Sequence, residues 1–323
     1  MACPQATFFH RSGWQVLIED IFGHDSYFLY AESGGVIRGV LPLGHVKSRL
    51  FGKALTSLPF SVYGGVAAVD EETATALELR AQQLARELGV DHLELRNVQR
   101  RHADWPLQDL YVTFRKPIEA TEEENLLAIP RKQRAMVRKG IKNGLTSQID
   151  PTADRFFALY ADNVHRHGTP AMPKAYFNQL LRVFGPDCEV LTVCAPDGAP
   201  VSSVLSFYFR DEVLPYYAGD AEAARELAAN DFKYWELMRL ACARGLKVFD
   251  YGRSKLNTGS YAFKKNGGFE PTPLHYEYQL YKTDSVPQNN PANAKYRLLI
   301  ASWRRMPIQL ANWLGPKIVR NLG

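Results

Sequence analysis

The four cysteines, Cys3, Cys188, Cys194 and Cys242, form no CxxC pair and have no histidine at metal-ligand spacing. A disulfide scaffold and a zinc cluster are set aside, and free thiols in a reducing compartment are expected. Long apolar runs are missing too. No window of about 18 residues is apolar enough to span a bilayer, and MACPQATFFHRSGWQ lacks a basic region followed by an apolar one. A cytoplasmic protein is the expectation. The chain also lacks a GxSxG elbow, a Walker loop, an HExxH helix and a GxGxxG turn opening a helix, which removes several familiar hydrolase, nucleotide and metalloprotease sites. HRH, 165–167, would need outside ligands to hold a metal, so no metal site is expected; it reads as helix-end polarity, with substrate contact as the alternative.

What is present describes a folded protein. Hydrophobic residues make up 46% and charged residues 23% of the 323, the balance of a globular chain, and the length favours two domains. The net charge of +5 is unevenly spread: RKQRAMVRKGIK, 131–142, holds six cations and no acid. Such a surface suits phosphates of a nucleotide, RNA or lipid, and equally a solvated helix face.

Tyr27 to Glu32 and Val36 to Leu41, separated by SGG, read as a hairpin, and SLPFSVYGGVAA, 57–68, as a further strand with a glycine interruption. EETATALELRAQQLAREL then sets Leu77, Ala81, Leu84 and Leu88 on one helical face before Gly89, and VDHLELRN, 90–97, reads as a strand. The grammar returns later: VSSVLSFYF and EVLPYYAGD are strand-like, a helix covers roughly 222–244, Gly245 ends it and LKVFDYGR follows. Aligning Gly89 with Gly245 pairs Val90 with Leu246, Leu93 with Phe249, Leu95 with Tyr251 and Glu94 with Asp250, and the strands ended at Gly65 and Gly219 fall at nearly matching offsets. The chain therefore reads as α/β with a duplicated β-β-α-β unit. Between the halves, Thr121 caps a helix with Glu122, Glu123 and Glu124 in its first turn, and Pro130 starts another. The boundaries expected are 1–145, 146–283 and 284–323. In the last segment KTDSVPQNNPANA reads as a linker. Leu299, Trp303, Met306, Leu310 and Trp313 then make a basic amphipathic tail that either docks on the body or lies on anionic lipid.

FDYGRSKLNTGSYAFKKNGGF, 249–269, concentrates the candidate chemistry. Asp250 and Arg253 fall at the end of an interior strand, where side chains reach a cleft. Asp250 orients an amine or accepts its proton, or else pairs with Arg253 or caps the turn. Lys264 in the short helix after Gly259 stabilises an oxyanion or binds a phosphate, while Phe263 reads more readily as core. Tyr217, beside Gly219 at a strand end, is a proton donor or acceptor, or a buried tyrosine with a satisfied hydroxyl.

The helix followed by GLKVFDYGRS and TGSYAFKKNGGF, together with IPRKQRAMVRKGIKNGL between two halves, resembles the Fem-type aminoacyltransferases of the GNAT superfamily. LPLGHVKSRLFGKALTSLPFSVYGG is similar to the FemAB-related branch found with exopolysaccharide and PEP-CTERM export systems. The resemblance spans roughly residues 20–282. It implies two tandem GNAT-like domains with mixed sheets flanked by helices, transferring an acyl or aminoacyl group onto an amine. The acceptor side would lie in the first domain and the transfer site in the second. It implies a donor that is aminoacyl-tRNA or acyl-CoA with no tightly bound cofactor, and an acceptor that is a cell-envelope polysaccharide or peptidoglycan precursor. Phe263-Lys264 matches the family's Phe-Lys pair at the reaction centre, with Asp250 and Tyr217 beside it as catalytic candidates. Arg253, Lys47, Arg134, Tyr63 and Thr169 make up the substrate-binding set, Lys47 and Arg134 for acceptor phosphates.

Two departures are visible. Residues 168–188 leave room for one helix where many tRNA-using members carry a helical insertion, and GDAEAARELAAND lacks the Gly-rich pattern that holds the pyrophosphate of coenzyme A. The expected protein is an N-acyltransferase on a cell-envelope precursor, peripheral on the inner membrane if residues 295–320 touch lipid. The alternatives are an acyl-CoA-dependent GNAT acting on a small amine and a non-catalytic module binding a glycan precursor or RNA.

Overall fold

A computed structural model describes residues 3–48, 52–287 and 294–321; residues 49–51 of the LPLGHVKSRLFG run and 288–293 of the expected linker lie outside that description. In chain order the first elements are helix α1 (Gly13–Val16), strands β1 (Asp25–Ser33), β2 (Val36–Ser48), β3 (Gly52–Ser57) and β4 (Ala67–Ala68), helix α2 (Glu71–Leu88), and strands β5 (His92–Asn97), β6 (Leu107–Gln108) and β7 (Tyr111–Pro117). Helices α3 (Glu122–Ala128) and α4 (Arg131–Lys142), strand β8 (Thr146–Asp150), helices α5 (Asp154–His167) and α6 (Lys174–Phe184), and strands β9 (Cys188–Cys194), β10 (Pro200–Phe209) and β11 (Glu212–Asp220) follow. The remainder is α7 (Ala224–Leu227), α8 (Ala229–Ala243), β12 (Val248–Asp250), β13 (Ser254–Lys255), α9 (Gly259–Asn266), β14 (Pro271–Pro273), β15 (His275–Leu280), α10 (Ala294–Arg305) and α11 (Ile308–Val319).

Packing divides the chain into two units. One is Met1–Tyr111, Pro273–Asn289 and Ile318–Gly323; the other is Val112–Thr272 and Asn290–Lys317. The division falls at Tyr111/Val112 rather than near 146, because β7 pairs with β12 and because α3 and α4 pack on α8.

In the first unit the strands run β1-β2-β3-β5-β15-β6, with β4 on β2. The hairpin forms as its SGG turn predicts. Asp70 caps α2 by accepting from the Thr73 amide at 2.8 Å. The helix buries Leu77, Ala81 and Leu84 against Leu41, Leu43, Leu93 and Leu95 of the sheet. Its chain reverses at Gly89, whose left-handed φ of 60° suits glycine. The strand expected over 57–68 does not form as one piece. β3 precedes it, 58–66 is irregular, and only Ala67–Ala68 pairs, so Gly65 ends no strand.

In the second unit the order is β13-β7-β12-β11-β10-β9-β8, with β14 on β7. β9, β10 and β11 are an antiparallel meander, and α8 carries the chain to β12, parallel to β11. β10 is buried along nearly its whole length, the mark of a strand covered on both faces. Val204, Tyr208 and Val213 pack with Phe232 and Leu237 of α8, while on the other face Phe207 meets Phe184 of α6 at 6.1 Å. The helix expected over 222–244 is two pieces, broken at Ala228 with φ of 58°. Thr121 caps α3 as expected, the Glu124 side chain accepts from the Thr121 amide in return, and Pro130 opens α4.

Each unit thus repeats an antiparallel meander, a helix, a glycine in the left-handed region and a strand parallel to the meander's last, and the chain is a mixed α/β protein with two mixed sheets. The tail breaks between α10 and α11 at Pro307. It docks on α5: Trp303 and Ala311 are buried, His165 Nε2 lies 2.9 Å from the Met306 carbonyl, and Arg304 donates to the His167 carbonyl at 3.2 Å.

Candidate active site

β11 and β12 pair only at Glu212–Val213 with Val248–Phe249. Beyond Phe249 the two strands go separate ways, and the chain after Asp250 turns into the segment 251–269. Asp250, fully buried, shapes that turn: its Oδ1 accepts from the Gly252 amide at 2.7 Å and from Thr113 Oγ1 at 3.3 Å, and Arg115 Nε lies 3.6 Å from its other oxygen. The capping alternative accounts for this residue. Thr258 then starts α9 by accepting from the Tyr261 amide, and α9 presents Phe263 and Lys264.

Lys264 reaches back from α9 over the turn. Its Nζ donates to the carbonyls of Tyr251, Gly252 and Arg253 at 2.8, 3.3 and 3.2 Å, and lies 5.6 and 5.8 Å from the ring centroids of Tyr251 and Phe114. Burial lowers its pKa to about 8; nearby Asp250 opposes the shift and Arg253 adds to it. A lysine so placed is a cation at neutral pH held in a poorly solvated site, where its field acts strongly. Arg253 itself is exposed. Asp250, Arg253, Phe263 and Lys264 are therefore brought together as one cluster.

Tyr217 is not in that cluster. Its hydroxyl lies 3.1 Å from that of Tyr176, and its ring meets Tyr160, Tyr176, Phe177 and Tyr216 edge-on at 4.8–6.1 Å. Burial pushes its pKa well above the ordinary tyrosine value, so it has the environment of a satisfied core hydroxyl rather than a base. Arg134 donates to the carbonyls of Leu127 and Ile129, closing the end of α3. The cations of α4 that face outward are Arg131, Lys132, Arg138, Lys139 and Lys142. Thr169 is exposed just after α5. In the first unit, Lys47 is half-exposed and paired with Asp25 at 2.5 Å, and Tyr63 is a buried ring packed edge-on against Phe9.

A cavity of about 50 Å³ opens beside the cluster, walled by Tyr234, Trp235, Tyr251, Phe263 and Phe269, with Asp231 and Lys116 among its polar lining. Sequence reasoning missed it because Asp231, Tyr234 and Trp235 sit inside an ordinary helical pattern, where nothing marks them apart from core residues.

The loop after β11, GDAEAARELAAND, lacks the Gly-rich pattern that holds a coenzyme A pyrophosphate. Asp220 and Glu222 line it, and α7 offers only four residues. Asp220 is already taken: burial disfavours its charge, but Lys233 at 2.8 Å, Ser202 and nearby Arg166 hold its pKa below the usual value. Among the described residues no group of histidines, cysteines and acids could hold a metal, and no helix is long and apolar enough to cross a membrane.

Residues 131–265 match the family described as acetyltransferase (GNAT) domain. No curated protein sequence matches the chain significantly. Among solved structures the chain resembles FemX, with a TM-score of 0.65 and 15% identity over 85% of this chain and 93% of that one. The C-terminal domain of a putative lysylphosphatidylglycerol synthetase from Agrobacterium fabrum aligns with a TM-score of 0.58 and 16% identity, covering 89% of this chain and 91% of that one. A tandem GNAT protein from the clavulanic acid biosynthesis pathway aligns with a TM-score of 0.52 and 13% identity, over 81% and 85% of the two chains. At these identities the structural likeness is one of fold.

Proposed function

We propose that this chain, which carries a GNAT acyltransferase domain within a tandem fold shared with FemX, moves an aminoacyl group from an activated ester onto the amine of a cell-envelope precursor. The observation that carries this reading is Lys264: a desolvated cation following Phe263, on the helix after the strand at which the central sheet parts. The acceptor amine attacks the donor carbonyl, the C–N bond forms, and the tetrahedral oxyanion takes a hydrogen bond from the Lys264 ammonium in place of one of its longer contacts to Gly252 or Arg253. The ester C–O bond then breaks, and the proton shed by the amine leaves with the departing hydroxyl. Charge-assisted donors aimed at such an oxyanion contribute about 3 kcal/mol to a barrier of this kind.

The loop after β11, without a Gly-rich pattern and leading into a helix of only four residues, supports an aminoacyl-tRNA ester over a thioester as donor. The outward cations of α4 suit its phosphates, and Lys47 suits those of an exopolysaccharide or peptidoglycan precursor. Leu299, Leu310 and Trp313 stay exposed on the docked tail, near Arg305 and Lys317. That surface suits peripheral attachment to an anionic membrane, where a lipid-linked acceptor would be found. Intact-mass assays with amine-bearing envelope precursors and either charged tRNA or an acyl-CoA pool test the reading. Transfer from charged tRNA that Lys264→Ala abolishes is expected. Transfer from the thioester alone would overturn the donor assignment, and none from either donor would overturn the enzyme reading.

A further inference from the structure

The cavity beside Phe263 combines features that core packing does not call for. Its walls are aromatic: Tyr251 lies 4.8 Å from Tyr234 and 4.5 Å from Phe269 between ring centroids, and Phe263 lies 5.6 Å from Tyr234. Such faces attract cations, most strongly where water is excluded. Into this wall α8 places Asp231 in its first turn. Among the described residues its carboxylate makes no close ion pair and accepts only from its own backbone amide; burial raises its pKa to about 6, with that amide and the more distant Lys233 opposing the shift. The other polar lining groups are occupied or neutral: Asn125 is spent on Glu119 and Thr121, Lys116 donates to the Ala128 carbonyl at 3.0 Å, and Gln133 carries no charge. At about 50 Å³ the space holds a few waters, or one ammonium with a short carbon stem.

We infer that this cavity is a binding site for the primary ammonium of a substrate, with Asp231 as its counter-charge and Tyr234, Tyr251 and Phe263 as its walls. The inference rests on the transferase reading above and adds the substrate chemistry recognised next to the Phe-Lys pair. An ammonium would supply the half-buried Asp231 carboxylate with a close counter-charge and would lie among the aromatic walls. Two sources share this chemistry: the α-ammonium of an aminoacyl donor and the amine of the acceptor before it loses its proton.

Ligand-observed NMR titration of the full chain at neutral pH separates them without turnover. The probes are L-alaninamide for the donor, Nα-acetyl-L-lysinamide for an acceptor side chain, and L-lactamide, which keeps the shape of alaninamide with a hydroxyl in place of the ammonium. At least one amine is expected to bind about tenfold tighter than lactamide, and that preference is expected to vanish in Asp231→Asn. A preference for alaninamide assigns the site to the donor, and one for the lysine derivative assigns it to the acceptor. Equal binding of lactamide and both amines by the unaltered protein would overturn the inference whether or not the variant folds. So would a preference that survives in Asp231→Asn, or no binding of either amine. Because no transfer is measured, failure here with transfer intact removes the ammonium site alone.

Discussion

Lys264 makes a quantitative demand on the proposed chemistry. Its pKa falls from 10.5 to about 8 because burial strips water from the ammonium. At 1.36 kcal/mol per unit, holding the charge there costs about 3 kcal/mol relative to water. With a pKa of about 8, roughly nine-tenths of the side chain is cationic at pH 7 and roughly one-tenth at pH 9. Transfer that needs the ammonium should therefore slow about tenfold between those values. The acceptor amine, which must be neutral to attack, pushes the other way. The useful quantity is thus the ratio of the unaltered protein to Lys264→Arg, whose guanidinium stays charged throughout.

The titration can also be read directly from the side-chain carbon next to the amine, in protein grown on lysine labelled there. One resonance should move with a midpoint near 8 while the bulk moves near 10.5. Stability follows the same titration. Between about pH 8 and 10.5 the unfolded chain holds a proton that the folded one has released, so stability rises with pH across that window, by at most about 3 kcal/mol from this group. Finding no lysine that titrates below about pH 10 would refute the reasoning, because the three backbone carbonyls would then have outweighed burial.

Other perturbations have defined outcomes. Gly219→Ala puts a methyl 2.3 Å from the Tyr160 amide nitrogen and 2.5 Å from the Leu159 carbonyl carbon. Neither is a side chain that can swing away, so a loss of about 2–4 kcal/mol is expected in chemical denaturation, and an unchanged midpoint would contradict the packing. Reversing Arg138, Lys139 and Lys142 to glutamate should weaken tRNA binding and flatten its dependence on salt, by about 0.7–0.9 in the logarithmic slope for each phosphate no longer neutralised. An unaltered slope would remove α4 from the RNA surface. Trp313→Glu should abolish flotation with anionic liposomes while leaving the fold intact by circular dichroism, and flotation unaffected by the change would sink the membrane reading.

Much of the local architecture is written in short-range chemistry. Asp70 and Thr121 mark helix starts because their oxygens accept from free amides three residues on, and Gly89 and Gly245 mark chain reversals because left-handed backbone favours glycine. These rules act over a turn or two, so the duplication, the hairpin, α4 and the short helix carrying Phe263-Lys264 are all legible from residue order. The 58–66 segment was not, since Val62 and Tyr63 are apolar and buried as strand residues are, yet make no ladder.

Which strand completes which sheet is decided only in three dimensions. β7 precedes the expected boundary but pairs with β12 of the second unit, while β15, near the end of the chain, pairs with β5 of the first. Hydrophobic pattern says that a strand is covered, not by whom, so the division near Tyr111 had no sequence signal. The same holds for the site. Residue order alone brought Asp250 near Lys264, and a family pattern singled out the lysine. That Asp250 holds the turn, that Tyr217 belongs to a separate aromatic cluster, and that Asp231 faces an aromatic cavity all depend on side chains converging from distant elements. Their meaning lies in burial and distance, which exist only once the chain has packed.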